Sequence, residues 1–217
     1  MDISTNTDME REVSLKSAIV IIIVVAAFLS AIGLFVGYKF FWNQFEKETL
    51  ADIKFKNAQE LVKKDPKNAM AYANLGVEYL ARGENQKAVA ELEKAYKLNN
   101  KHLGIRFNLG LAYKETKNYD KAITLMEGIV KENPFHFLGI VNLGVLYDQK
   151  NKFQQALQMY ERALQINPGA ADVYLLRGQT YAHMGDKQKA LENINQALRF
   201  VPDYKEALDA KKEIESK

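Results

Sequence analysis

The spacing of hydrophobic positions divides the 217-residue chain into two regimes. From Ala18 to Tyr38 the sequence AIVIIIVVAAFLSAIGLFVGY runs 21 residues without a charge. A helix rising about 1.5 Å per residue would carry such a run across a hydrocarbon core about 30 Å thick. From Phe45 onward the apolar residues recur every three or four positions with charged residues between them, the period of amphipathic helices. These segments run for roughly a dozen residues each. They are separated by polar turns at Gly83-Glu84-Asn85, Lys117-Asn118-Tyr119, Asn151-Lys152-Phe153 and Gly185-Asp186-Lys187. The pattern predicts an all-α protein with a membrane helix ahead of paired amphipathic helices.

The pairs repeat. Pro134, Pro168 and Pro202 are each 34 residues apart, and Pro66 lies two such periods before Pro134. A shift of 34 also aligns Asn74-Leu75-Gly76, Asn108-Leu109-Gly110, Asn142-Leu143-Gly144 and the divergent Leu176-Arg177-Gly178. Tyr79, Tyr113, Tyr147 and Tyr181 follow in register, then Ala88, Ala122, Ala156 and Ala190, then Ala95, Ile129, Ala163 and Ala197. Small residues in this register mark close helix approaches, with Tyr and Leu filling the space between. Proline ends the second helix of each unit before the next begins.

These residues resemble the tetratricopeptide-repeat (TPR) pattern, in which helix A carries L-G-x-x-Y and helix B carries alanines seven apart before a proline. The resemblance covers residues 69 to 202. It implies a right-handed solenoid of four helix-turn-helix repeats, about 69–102, 103–136, 137–170 and 171–202 within 65–202, stabilised by stacking. Residues 203–217 resemble the family's capping helix, with Tyr204, Ala207, Leu208 and Ile214 toward the stack. Residues 42–64 form a connecting helix that resembles helix B of a degenerate leading repeat. Phe55, Ala58, Leu61 and Val62 share its inner face. Residues 1–17 are a short polar tail.

The apolar run is expected to be an uncleaved single-pass anchor over 18–41, ending in the interfacial residues Tyr38, Lys39, Phe40, Phe41 and Trp42. The competing reading is a cleaved signal peptide, for which Ala31-Ile-Gly33 would be the cleavage site, but the run exceeds the usual apolar core of about 7–15 residues. Arg11 and Lys16 before the span balance Lys39 and Lys47 after it, so charge does not assign a side of the membrane to the repeats. Ala26, Ser30, Gly33 and Gly37 lie on one helical face at spacings of four, three and four, a surface on which two membrane helices approach closely. Homo-oligomerisation through this face is a second expectation beside the lipid contact.

Composition narrows the function. A formal charge of +3 from 30 basic and 27 acidic residues is too small and too mixed for a nucleic-acid surface. With no cysteine there is no disulfide, thiolate metal site or cysteine nucleophile. His102 and His136 are a full repeat apart, too distant to share a metal, and no acidic or hydroxyl partner suggests itself for His183. No phosphate loop, HExxH helix or nucleophile elbow is present, so no enzyme activity, cofactor or metal is expected.

Function is then sought on the concave face that the resemblance implies. The family's groove positions correspond here to Met70, Ala73 and Val77 in the first unit and Phe107, Leu111 and Lys114 in the second. In the third they are Leu138, Val141, Val145 and Asp148, and in the fourth Leu175 and Gln179. This largely apolar lining suits a helical or extended segment of a partner protein. Ala73 and Val77 replace the lysine and asparagine of family members that clamp a terminal carboxylate, so that mode is not expected. The expectation is a membrane-anchored interaction scaffold or adaptor, plausible in assembly of a membrane or envelope complex. The alternatives are a self-assembling scaffold, a non-catalytic subunit of a membrane enzyme, and a groove filled by the chain's own 45–64 helix.

Overall fold

The computed structural model describes residues 4–36 and 49–216, which form eleven helices and no strand. They divide into two units after Ile53. The first contains α1 (Ser4–Val36), whose side chains from Ile22 to Val36 are exposed on every side. The described helix starts at Ser4, so residues 4–17 of the expected 1–17 tail are helical and continuous with the apolar run. Among the described residues no helix is long and apolar enough to cross a membrane. Residues 37–41 of the expected 18–41 anchor, and the side chains of Ala18 and Ile21, lie outside that description.

A second correction concerns the connecting helix. It is expected over 42–64, whereas the described helix α2 (Leu50–Lys64) starts at Leu50, and residues 42–48 lie outside the description. Thr49 explains the start. Its hydroxyl oxygen accepts from Asp52 N at 3.2 Å, while the Asp52 carboxylate accepts from Thr49 N at 3.2 Å and from Thr49 Oγ1 at 2.7 Å. This reciprocal capping satisfies amide groups that would otherwise be orphaned at a helix end.

The second unit is an array of paired helices. The A helices are α3 (Ala69–Ala81), α5 (Leu103–Glu115), α7 (Phe137–Gln149) and α9 (Ala171–His183). Each is followed by a B helix: α4 (Asn85–Leu98), α6 (Tyr119–Glu132), α8 (Phe153–Ile166) and α10 (Lys187–Phe200). The array ends with α11 (Lys205–Ser216), whose Ala207 is buried against α9 and α10. Every A–B turn needs one residue in the left-handed region. Gly83 (φ 72°) and Gly185 (φ 81°) supply it freely, whereas Lys117 (φ 60°) and Asn151 (φ 57°) adopt it at a steric cost.

Within each pair, helices A and B touch at a glycine. A Cβ on Gly76 would lie 2.5 Å from Leu92, on Gly110 2.7 Å from Met126, on Gly144 2.6 Å from Tyr160 and on Gly178 2.9 Å from Ile194. The four opposing side chains are fully buried. Between repeats, Tyr113 donates to Glu93 at 2.6 Å, and Tyr147 donates to Glu127 at 2.6 Å one repeat later. The next carboxylate in the series, Glu161, is held by Arg177 at 2.6 Å, and Arg177 also bonds Asn193.

Helix starts use different side chains. Asn68 accepts from Met70 N and Ala71 N. His102 Nδ1 accepts from Ile105 N at 3.3 Å and His136 Nδ1 from Gly139 N at 2.9 Å. The two equivalent histidines are thus helix caps, a role that requires an unprotonated Nδ1.

Gly144→Ala drives a methyl into the buried Tyr160 ring and should destabilise the array by about 1–3 kcal/mol. Gly110→Ala meets the movable end of Met126 and should cost less; thermal denaturation by circular dichroism compares them. Burial, then the bond to Glu127, push the Tyr147 phenol up to about 12, against about 10 in an unfolded chain. Its contribution to stability is therefore complete below pH about 10 and lost as pH rises toward about 12. Tyr147→Phe should lose about 1 kcal/mol at neutral pH and show a shallower alkaline decline in the same assay.

Candidate functional site

The A helices present one residue series across the repeats, but stacking buries part of it. Ala73, Val141 and Leu175 are buried in the core. They are positions at which an A helix meets the adjoining helices, and little of them reaches water. Met70 (43% exposed), Val77 (38%) and Leu138 (56%) remain open to water, and Phe107, Leu111, Lys114, Val145 and Gln179 are half-buried.

The first repeat shares its surface with the preceding helix. Phe55 packs edge-on against Tyr79 with ring centroids 5.2 Å apart, and the Arg82 guanidinium lies 4.2 Å from the Phe55 ring centre. Ala58 is buried, whereas Leu61 stays exposed beside Val77 in a pocket of about 260 Å³. The chain's own helix therefore borders the surface at this end. Farther along, Phe107 lies against the His136 ring, centroids 5.5 Å apart. Lys114 Nζ donates to Asn142 Oδ1 at 3.3 Å, and Asn142 Nδ2 donates to Leu138 O at 2.8 Å. Asn142 is thus engaged locally.

The last two repeats assemble a polar group. Asp148, 9% exposed, accepts from the buried Thr180 hydroxyl at 2.7 Å, and His183 Nδ1 lies 3.1 Å from its carboxylate. The fully buried Tyr160 phenol sits beside them, pushed up by burial and then by the Asp148 charge. Asp148, Tyr160 and His183 line a pocket of about 340 Å³ that also takes in Val145, Gln179 and the capping-helix residues Glu213 and Ile214. No acidic partner for His183 is expected from the sequence, yet it stands 35 residues from Asp148 on the next A helix and meets it there. A second pocket not expected from the sequence, about 450 Å³ between α4, α5 and α6, is largely apolar and includes Tyr96, Leu109 and Leu125. Among the described residues no three His, Asp or Glu side chains converge as metal ligands.

Of the small-residue face on α1, Ser30 Oγ donates to Ala26 O at 2.8 Å and a Cβ on Gly33 would meet nothing within 4 Å. Gly37 lies outside the described residues.

Three sequence profiles, each described as tetratricopeptide repeat, match residues 57–90, 79–137 and 143–215. With the stacked helix pairs they show that the chain belongs to the tetratricopeptide-repeat family. The first match begins inside α2, in keeping with the packing of that helix on the first repeat. No curated protein matches the chain. Among solved structures, YrrB, described as a TPR protein with an unusual peptide-binding site, is 23% identical with a TM-score of 0.65, covering 78% of this chain and 88% of its own. MamA is 23% identical with a TM-score of 0.63, covering 71% and 95%. A MamA fragment, residue 41 to the end, from Desulfovibrio magneticus RS-1 is 16% identical with a TM-score of 0.66, covering 75% and 92%. At these identities the likeness is one of fold.

Proposed function

We propose that this protein is a membrane-anchored interaction scaffold, without catalysis, whose A-helix surface takes up a helical or extended segment of a partner protein during assembly of a membrane or envelope complex. The observation that carries the reading is the row Met70, Val77, Phe107, Leu111, Leu138 and Val145, apolar side chains still accessible after the array has packed. Apolar surface left open along one face favours association with another chain. The peptide-binding site in the description of YrrB lies on the same fold and supports this use of it. Anchoring through 18–41 is supported by the uncharged run and by the exposed apolar side chains of α1, which favour hydrocarbon over water. The small face of Ala26, Ser30, Gly33 and Gly37 is the surface through which two copies would pair, since the Ser30 hydroxyl is already satisfied within its helix and Gly33 is open.

The test is a crosslinking pull-down of the full chain from native membranes washed with alkaline carbonate. The chain should resist the wash. Variants Val77→Glu, Leu111→Glu and Val145→Glu, shown folded by circular dichroism, should lose most of the captured partner. Extraction by carbonate would overturn the anchor, and undiminished capture by all three folded variants would overturn the groove.

A further inference from the structure

We infer that the pocket at the C-terminal end of the A-helix surface binds a lysine or arginine side chain of the partner segment, with Asp148 as its counter-ion. The inference rests on the groove reading and adds the chemistry of one anchor.

A buried carboxylate needs compensation, because its charge has been taken out of water. Among the described residues the one ionisable group paired with Asp148 is His183, which carries charge only when protonated. Thr180 supplies a neutral hydroxyl. With His183 neutral, the Asp148 charge has hydrogen bonds but no cation. Its field is felt by the neighbouring Tyr160 phenol, which it disfavours from ionising.

The pocket wall fits a cationic chain. Among the described residues that line it there is no lysine or arginine, and Asp148 is its buried carboxylate. An anionic guest is therefore disfavoured and a cationic one attracted. Val145, Leu176 and Ile214 provide apolar contact for the methylene stem of a long basic residue, while the Gln179 amide offers an oxygen to its head group. A volume of about 340 Å³ holds a side chain; one water takes only about 30 Å³. His183 turns Nδ1 to the carboxylate, leaving its other ring nitrogen directed away as an additional acceptor in the neutral form. Arginine, with its planar fork of donors, suits this arrangement better than lysine.

The arrangement also gives the groove a direction. Apolar residues dominate the first two repeats, Lys114 stands in the second, and the acidic pocket lies at the far end. A segment with aliphatic anchors followed by a basic residue matches that order, and the reverse order places its cation near Lys114.

The full chain in detergent micelles can be titrated with Nα-acetyl-argininamide and Nα-acetyl-norleucinamide while the His183 ring signals are followed by NMR. The arginine probe should shift them saturably and the norleucine probe should not. Asp148→Asn, which keeps an acceptor for Thr180, should weaken the arginine response at least tenfold. Gln179→Lys, which places a competing cation in the wall without touching the buried carboxylate, should do the same and guards against misfolding of the first variant. Equal responses to both probes, no saturable response, or an unchanged response in folded Gln179→Lys would overturn the inference. In the membrane pull-down, partner capture lost in Leu111→Glu but retained in Gln179→Lys would remove the basic anchor and leave the groove standing. Capture indifferent to Leu111→Glu and Val145→Glu would remove the groove itself.

Discussion

The closeness of helix A to helix B inside each repeat is the constraint on which the array depends. Gly76, Gly110, Gly144 and Gly178 admit a side chain from the facing helix to a distance that any Cβ would forbid. The residue lodged there differs, Leu92, Met126, Tyr160 and Ile194 in turn, so the geometry is fixed while its chemistry varies. In the third repeat the lodged side chain is a tyrosine, and its phenol reaches the neighbourhood of Asp148 and Thr180. A packing requirement thereby places a polar group beneath the A-helix surface.

Stacking then decides which side chains remain for a partner. One repeat buries too little apolar surface to stand alone, and neighbours complete its core. Ala73, Val141 and Leu175 are consumed in this way, while Val77, Leu111 and Val145 keep part of their surface. Hydrogen bonds add register: the Tyr113–Glu93 and Tyr147–Glu127 pairs join successive repeats at equivalent places, and Arg177 claims the next carboxylate. The fourth repeat thus departs from the second and third in its polar contacts, and it does so beside the capping helix.

Much of this was legible in the chain itself. The interval of 34 located the glycines and the A–B turns, because both depend on local backbone geometry that one residue type satisfies. The start of α2 was legible too, since Thr49-x-x-Asp52 is a capping pattern, but the unbroken apolar spacing from Phe45 concealed it. His102 and His136 were recognised as equivalent without their capping role, for which Asn and Asp are the usual residues. The Asp148–His183 pair joins residues 35 apart on different helices. Spacing alone could not reveal it, because the contact exists only after two repeats have stacked. The same holds for the burial of Ala73, Val141 and Leu175: family register assigns their face, and stacking determines how much of it water reaches.

The central claim is that partners meet the array on its A-helix surface. The most direct measurement places a photo-crosslinking amino acid in the full-length protein in native membranes, at Leu111 on that surface or at the exposed Thr124 on a B helix. Illumination should give discrete protein adducts from position 111 and little from 124. Adducts from 124 with none from 111 would contradict the account and move recognition to the B-helix face.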